Sequence, residues 1–125
     1  MIKTMIATVG LLAFTSLPAM ADGDAAKGEK VFVKCKACHD VEKGVSRVGP
    51  TLKGLLGRPV ASVEGFKYSE DMLAKGKEGA VWDEALLTVY LPDPKAYAPK
   101  TKMVFAGLKK PEDIANLIAF LKTKP

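Results

Sequence analysis

Cys35-Lys36-Ala37-Cys38-His39 decides how the rest of this chain is read. Two thiols three positions apart can each add across a vinyl group of one haem, and the adjoining imidazole then lies under the iron as an axial ligand. The stretch is therefore read as a c-type haem attachment site. Three other readings use the same residues. A zinc site wants four donors, and with two Cys and one His in the chain the fourth would have to come from a carboxylate. A thioredoxin-like dithiol sits where a strand meets a helix in a βαβ unit, and no strand-rich pattern precedes Cys35. A structural disulfide would close a very short loop, removing little chain entropy for the strain it imposes, and it leaves His39 unexplained.

Toward the N-terminus, Met1 to Ala21 carries one early charge at Lys3, an apolar run from Met5 to Leu17, and Ala19-Met20-Ala21 as a small-x-small processing site. This pattern predicts a secretory signal peptide cleaved after Ala21, hence a periplasmic mature protein. The apolar run is short for a bilayer span, so an uncleaved anchor is the lesser alternative. In an oxidising compartment a free Cys-x-x-Cys pair would form a disulfide unless something else captured both sulfurs, and covalent haem is such a capture. The remainder, Asp22 to Pro125, makes one domain too small to bury a large core by itself. A large apolar cofactor wrapped by the chain would supply much of the missing interior.

The periodicity predicts an all-α domain. From Asp24 to Cys35, Gly28, Val31, Phe32 and Cys35 recur at i, i+3, i+4 and i+7, with Asp24 placed to cap the start. Near the C-terminus, Pro111 suits the first helical position, Glu112 and Asp113 favour the positive pole, Lys122 lies near the other, and Ile114, Leu117, Ile118 and Leu121 repeat the same spacing. Neither terminal helix can bury its stripe alone, so the two are expected to pack on one another. Gly28 inside the first costs about 1 kcal/mol relative to alanine, which a close crossing filled by Leu117 or Phe120 would justify. Asp83 to Leu91 reads as a third helix with Leu86, Leu87, Tyr90 and Leu91 inward, and Ser69 to Ala74 as a short one. Gly44 to Gly65 and Pro92 to Gly107 read as long loops.

An iron held by His39 needs a sixth ligand, and the chain has no second His. Met103 is the best placed soft donor, in the Pro- and Lys-bearing loop ahead of the last helix; Met72 is its rival.

Taken in order, Gly28, Phe32, Cys35-Lys36-Ala37-Cys38-His39, Gly49-Pro50-Thr51-Leu52 through Gly57-Arg58, Trp82, Tyr90-Leu91, Pro94, Tyr97, Thr101-Lys102-Met103, Phe105-Ala106-Gly107 and Leu117 resemble the class I cytochromes c. The likeness is to the soluble bacterial cytochrome c2 type and to mitochondrial cytochrome c. It implies the class I fold, with N- and C-terminal helices packed crosswise around one covalent haem and long loops between. It implies that His39 is the proximal ligand, oriented by the Pro50 carbonyl, and that Met103 is the distal one. Tyr90 and Thr101 would lie near the sulfur or the adjacent haem edge, and Arg58, Tyr68 and Trp82 would direct polar hydrogens at the haem propionates. The chain departs from the family in the helix near Met72, where a commonly found Asn is replaced by an apolar residue, and at Asp93, where another Asn is common; the stretch from Gly65 to Trp82 is also slightly longer than in the mitochondrial form.

With both axial positions filled there is no open site for substrate, so the expected activity is one-electron gain and loss: a carrier and not an enzyme. The formal charge is +5 over the whole chain and one less without Lys3. Lys34 and Lys36 flank the first thioether position, and Lys95, Lys100, Lys102, Lys109 and Lys110 surround the Met103 loop. Such a ring would steer a monomeric carrier to acidic patches on membrane redox complexes, with a generic solvated surface as the bland alternative. The expected donors are a quinol-oxidising cytochrome bc complex or a dehydrogenase. The expected acceptors are a terminal oxidase or, in a phototroph, a reaction centre. Nucleic acid is not an expected partner for an exported chain with few aromatics. Two rivals remain: an enzyme or gas sensor in which Met103 is displaced, and an exported dithiol oxidoreductase.

Overall fold

Asp24 opens the first helix as its sequence suggests, its carboxylate accepting the Lys27 N–H at 3.0 Å. The structure, a computed structural model, describes residues 9–13 and 23–125; apart from 9–13, the signal peptide expected over Met1–Ala21 and its expected cleavage point lie outside the described residues. Five helices follow in order: α1 (Ala25–Lys36), α2 (Glu70–Lys77), α3 (Glu84–Tyr90), α4 (Pro94–Tyr97) and α5 (Pro111–Lys122). Among the described residues the only sheet-like pairing is a single antiparallel bridge between Pro59 and Val81, so the expectation of an all-α domain holds. No helix among them is long and apolar enough to cross a membrane.

The terminal helices meet as predicted. Phe32 of α1 and Phe120 of α5 stack at 5.3 Å between ring centroids, and both are buried. Gly28 allows the approach: a Cβ there would fall 1.9 Å from the Asn116 carbonyl oxygen and 2.8 Å from Phe120 Cβ. Of the two residues expected to fill that space, Phe120 does so, while Leu117 yields its place to the Asn116 backbone one residue earlier. Asn116 is itself buried, and its side-chain oxygen accepts the Asp24 N–H at 2.8 Å, which satisfies a polar group the crossing would otherwise strand.

α3 is capped by Asp83, which accepts the Leu86 N–H at 2.8 Å, and turns Leu87, Tyr90 and Leu91 inward with Leu86 half-buried. α2 starts at the predicted Ser69 cap but runs to Lys77. The Pro92–Gly107 segment is not wholly loop, because Asp93 accepts the Ala96 N–H at 3.1 Å and Pro94 occupies the first turn of α4. An Asp-Pro pair is a sound start signal, but four residues are too few to show a repeating apolar stripe. The Gly44–Gly65 segment is irregular, as expected.

Candidate functional site

His39 follows directly on the last turn of α1, where its N–H donates to the Cys35 carbonyl at 2.9 Å. Its Nδ1 lies 2.7 Å from the Pro50 carbonyl oxygen. A carbonyl can only accept, so Nδ1 carries the hydrogen and Nε2 is left with its lone pair free for a metal. Gly49 makes the arrangement sterically feasible: a Cβ there would sit 2.3 Å from His39 Cε1, so only glycine lets the loop lie flat on the imidazole. Burial pulls the imidazole below its ordinary 6.5, and the nearby Arg47 and Arg58 charges act the same way against the opposing Pro50 bond. The ring is thus neutral at neutral pH, the form that ligates.

Two residues that the sequence reading passed over brace this corner. The Arg47 guanidinium donates to the carbonyls of Lys36 and His39, closing the C-terminal end of α1. Asp40 gathers the next turn, accepting N–H groups of Glu42, Lys43 and Val45 at 3.0–3.2 Å. Desolvation pushes its carboxyl upward, but these bonds prevail and hold it down at about 2. A sequence signal existed for Asp40, since Asp ahead of a Gly-bearing turn is a common Asx geometry; Arg47 had none.

Every candidate named from sequence faces one cavity of about 560 Å³: Cys35, Cys38, His39, Arg58, Tyr68, Trp82, Tyr90, Thr101 and Met103. Apolar side chains from several parts of the chain complete the wall, among them Leu52, Leu55, Phe105, Leu117 and Leu121. Met72, the rival donor, lines it too, as does Phe66, which the sequence reading did not single out. Lys34, Lys67 and Lys102 stand at its edge.

Within that cavity the polar groups are few and directed. Tyr90 O–H donates to Met103 Sδ at 3.8 Å; burial, then the neighbouring Tyr97, push its hydroxyl up to about 12, so it stays a donor. Tyr90 is held edge-on by Trp82 at 4.8 Å and by Tyr97 at 5.6 Å. The Thr101 hydroxyl oxygen accepts the Met103 N–H at 3.2 Å, shaping the turn and not touching the sulfur. Tyr68 accepts the Val63 N–H at 3.0 Å and keeps its own proton for another acceptor. Arg58 donates through Nη1 to the Lys53 carbonyl at 3.3 Å, while its Nε is buried with no partner. An orphaned guanidinium N–H at the wall of an apolar cavity asks for an acceptor, most favourably an anion.

These features fit a haem: two adjacent half-buried thiols, one oriented imidazole, a thioether, an apolar enclosure and an unmatched Arg donor where a carboxylate would be received. The alternatives fit poorly. Among the described residues no three His, Cys, Asp or Glu side chains gather as a metal site, against zinc. Burial pushes the Cys35 thiol up to about 11, the reverse of the lowered value that an exchanging dithiol requires.

The lysines are less uniform than their spacing suggests. Lys100 pairs with Glu70 at 2.9 Å, and the Lys109 ammonium donates to the carbonyls of Pro92 and Ala106 at 2.6 and 3.1 Å. Lys34, Lys36, Lys95, Lys102 and Lys110 are exposed.

Comparison with known proteins agrees with the geometry. The cytochrome c family model matches residues 25–124. A cytochrome c2 of Afifella marina is 52% identical over 99 residues, covering 78% of this chain and 80% of the relative. A cytochrome c2 of Rhodomicrobium vannielii is 48% identical over 120 residues, covering 95% and 94%. Among solved structures, cytochrome cH from Methylobacterium extorquens superimposes with a TM-score of 0.73 at 48% identity, over 82% of this chain and all of that one. Cys35-Lys36-Ala37-Cys38-His39, the cavity it opens onto and these likenesses together make the chain a member of the cytochrome c family, of the class I cytochrome c2 type, a haem c electron-transfer protein and not an enzyme.

Proposed function

We propose that the mature chain, Asp22 to Pro125, is a mono-haem electron shuttle of the periplasm, exported on Met1 to Ala21 and cleaved after Ala21. Cys35 and Cys38 form the two thioethers, His39 is the proximal ligand through Nε2, and Met103 is the distal ligand. The haem supplies a one-electron couple, made more positive by thioether ligation than it would be with two imidazoles. The chain's part is to keep both ligands in place and water out. Pro50 and Gly49 hold the imidazole ring, which minimises rearrangement between oxidation states. Tyr90 draws electron density from the Met103 sulfur through its O–H, and Thr101 sets the turn that presents it. Arg58, Tyr68 and Trp82 receive the propionates, for which the unpaired Arg58 Nε is the main support.

The exchange partners are membrane redox complexes with acidic docking surfaces, approached by a monomer through Lys34, Lys36, Lys95, Lys100, Lys102, Lys109 and Lys110. The electron comes from a quinol-oxidising cytochrome bc complex or a dehydrogenase, and passes to a terminal oxidase or, in a phototroph, to a reaction centre. The convergence of two thiols, an oriented imidazole and a hydrogen-bonded thioether on one cavity carries this reading. Mass spectrometry of the exported protein tests it. The expected species starts at Asp22 and carries one haem, and C38A holds its haem through a single link that denaturation weakens. Bare polypeptide in the wild type, or normal holoprotein yield from C38A, would overturn the attachment.

A further inference from the structure

The loop from Ala98 to Lys110 presents Met103, and its middle makes few hydrogen bonds. Thr101 N–H donates to the Ala98 carbonyl at 2.9 Å and Met103 N–H to Thr101 Oγ1 at 3.2 Å. Among the described residues, the other amides from Lys102 to Gly107 have no protein acceptor. Side chains reach the middle of the loop, the Tyr90 hydroxyl at Met103 Sδ and the Lys109 ammonium at the Ala106 carbonyl, but the main-chain amides are tied to the rest of the fold at the two ends. At the C-terminal end Leu108 N–H donates to the Leu91 carbonyl at 2.8 Å, and Gly107, at φ +114°, presses so close that a Cβ would lie 2.0 Å from the Pro92 oxygen. At the other end the partner is α2. Asp71 Oδ2 accepts the Lys100 N–H at 2.5 Å, a contact between residues 29 apart in sequence.

The Asp71 carboxylate is itself aimed. Its Oδ1 accepts the Ser69 hydroxyl at 2.5 Å and the Met72 N–H at 3.0 Å, leaving Oδ2 turned to the loop. Met72 in turn is buried against the cavity, so α2 is anchored independently of the loop it holds. The neighbouring Glu70–Lys100 ion pair spans largely exposed side chains, a geometry that contributes little.

We infer that Asp71 is a positioning residue for the distal ligand: its carboxylate clamps the start of the Met103 loop to α2 and thereby keeps the sulfur at its post. The inference rests on reading Met103 as that ligand. Without the clamp the main chain from Pro99 to Gly107 keeps only its own short turns and the Lys109–Ala106 bond, the Tyr90 hydroxyl alone is left on the sulfur, and the opening that detaches it becomes more frequent.

Cyanide association with the ferric holoprotein measures that opening, because the incoming anion must displace the thioether. D71A is expected to bind cyanide roughly tenfold faster, as loss of a hydrogen bond to a charged acceptor implies. D71N keeps an acceptor oxygen for the Lys100 N–H and should return the rate to within about threefold of wild type. E70Q, which breaks only the ion pair, should leave it unchanged. Hydrogen exchange on the wild-type holoprotein gives a second reading that needs no variant: the Lys100 amide should be protected relative to that of Lys102. Wild-type cyanide kinetics in D71A, or equal exchange at Lys100 and Lys102, overturns the clamp. A wild-type ferric protein lacking the weak far-red band of iron–thioether bonding overturns the ligand reading instead, and the clamp with it.

Discussion

At the scale of single residues, the site is built by removing freedom from two side chains. His39 is fixed by a carbonyl on one nitrogen and by a glycine against its face, Met103 by a tyrosine hydroxyl on its sulfur and a threonine under its amide. Replacing Met103 with Ala should open the sixth position to carbon monoxide, seen in the reduced difference spectrum. It should also lower the reduction potential by about 59 mV for each tenfold loss of preference for ferrous iron. Unchanged spectra would transfer the ligand role to Met72, the other thioether at the cavity. The thiols, imidazole and thioether that line the cavity could be picked out in sequence because one His, one Cys-x-x-Cys and a Met in a loop leave few combinations, whereas Arg58, Tyr68, Trp82, Tyr90 and Thr101 came only through the family resemblance. Arg47 was not legible, since its target is a pair of main-chain carbonyls that no side-chain pattern records.

At the scale of elements, periodicity carried the reading as far as helices are long. α1, α3 and α5 show their apolar stripes in sequence, whereas α4 has too few residues to do so and declares itself only through Asp93-Pro94. The joint between α1 and α5 makes a definite forecast. G28A should destabilise the holoprotein by about 1–3 kcal/mol, because the added methyl would overlap both the Asn116 carbonyl and Phe120 Cβ, and backbone gives way poorly. Thermal unfolding should register this as a fall of about 4–8 °C for each kcal/mol. An unshifted midpoint would mean that the helices separate at little cost. α2 makes another forecast through Asp71. The Ser69 hydroxyl bond, ahead of those from Lys100 and Met72, holds this carboxyl below its ordinary 3.8 in spite of desolvation. A depressed value in the fold means stability that is present above 3.8 and lost as pH falls through the lower, folded value. Acid titration of the far-red band should therefore show the Met103 loop loosening only beneath the ordinary carboxylate range, in a small step because the protonated carboxyl, like the D71N amide, keeps an oxygen for the Lys100 N–H, and D71N should remove that step. The clamp itself could not be read from sequence, because it joins residues 29 apart that share no periodicity.

At the scale of the whole molecule, charge and chain closure matter most. If the exposed Lys34, Lys36, Lys95, Lys102 and Lys110 guide docking, reaction with an acidic partner should slow as salt rises and the Debye length shrinks from about 10 Å at 0.1 M to about 3 Å at 1 M. Stopped-flow rates that ignore ionic strength would reduce the lysines to ordinary surface. Lys100 and Lys109 should matter less, since one already has a carboxylate and the other two carbonyls.

The Asp24–Asn116 hydrogen bond spans 92 residues, so the two halves of the main helix joint are made at opposite ends of synthesis. The thiol-bearing segment is therefore made long before the strip of chain that locks over it, and Cys35 and Cys38 stay accessible until Asn116 arrives. By the same logic, a nonsense codon anywhere upstream of Asn116 should yield no partially working pigment, only a fragment for proteases to clear.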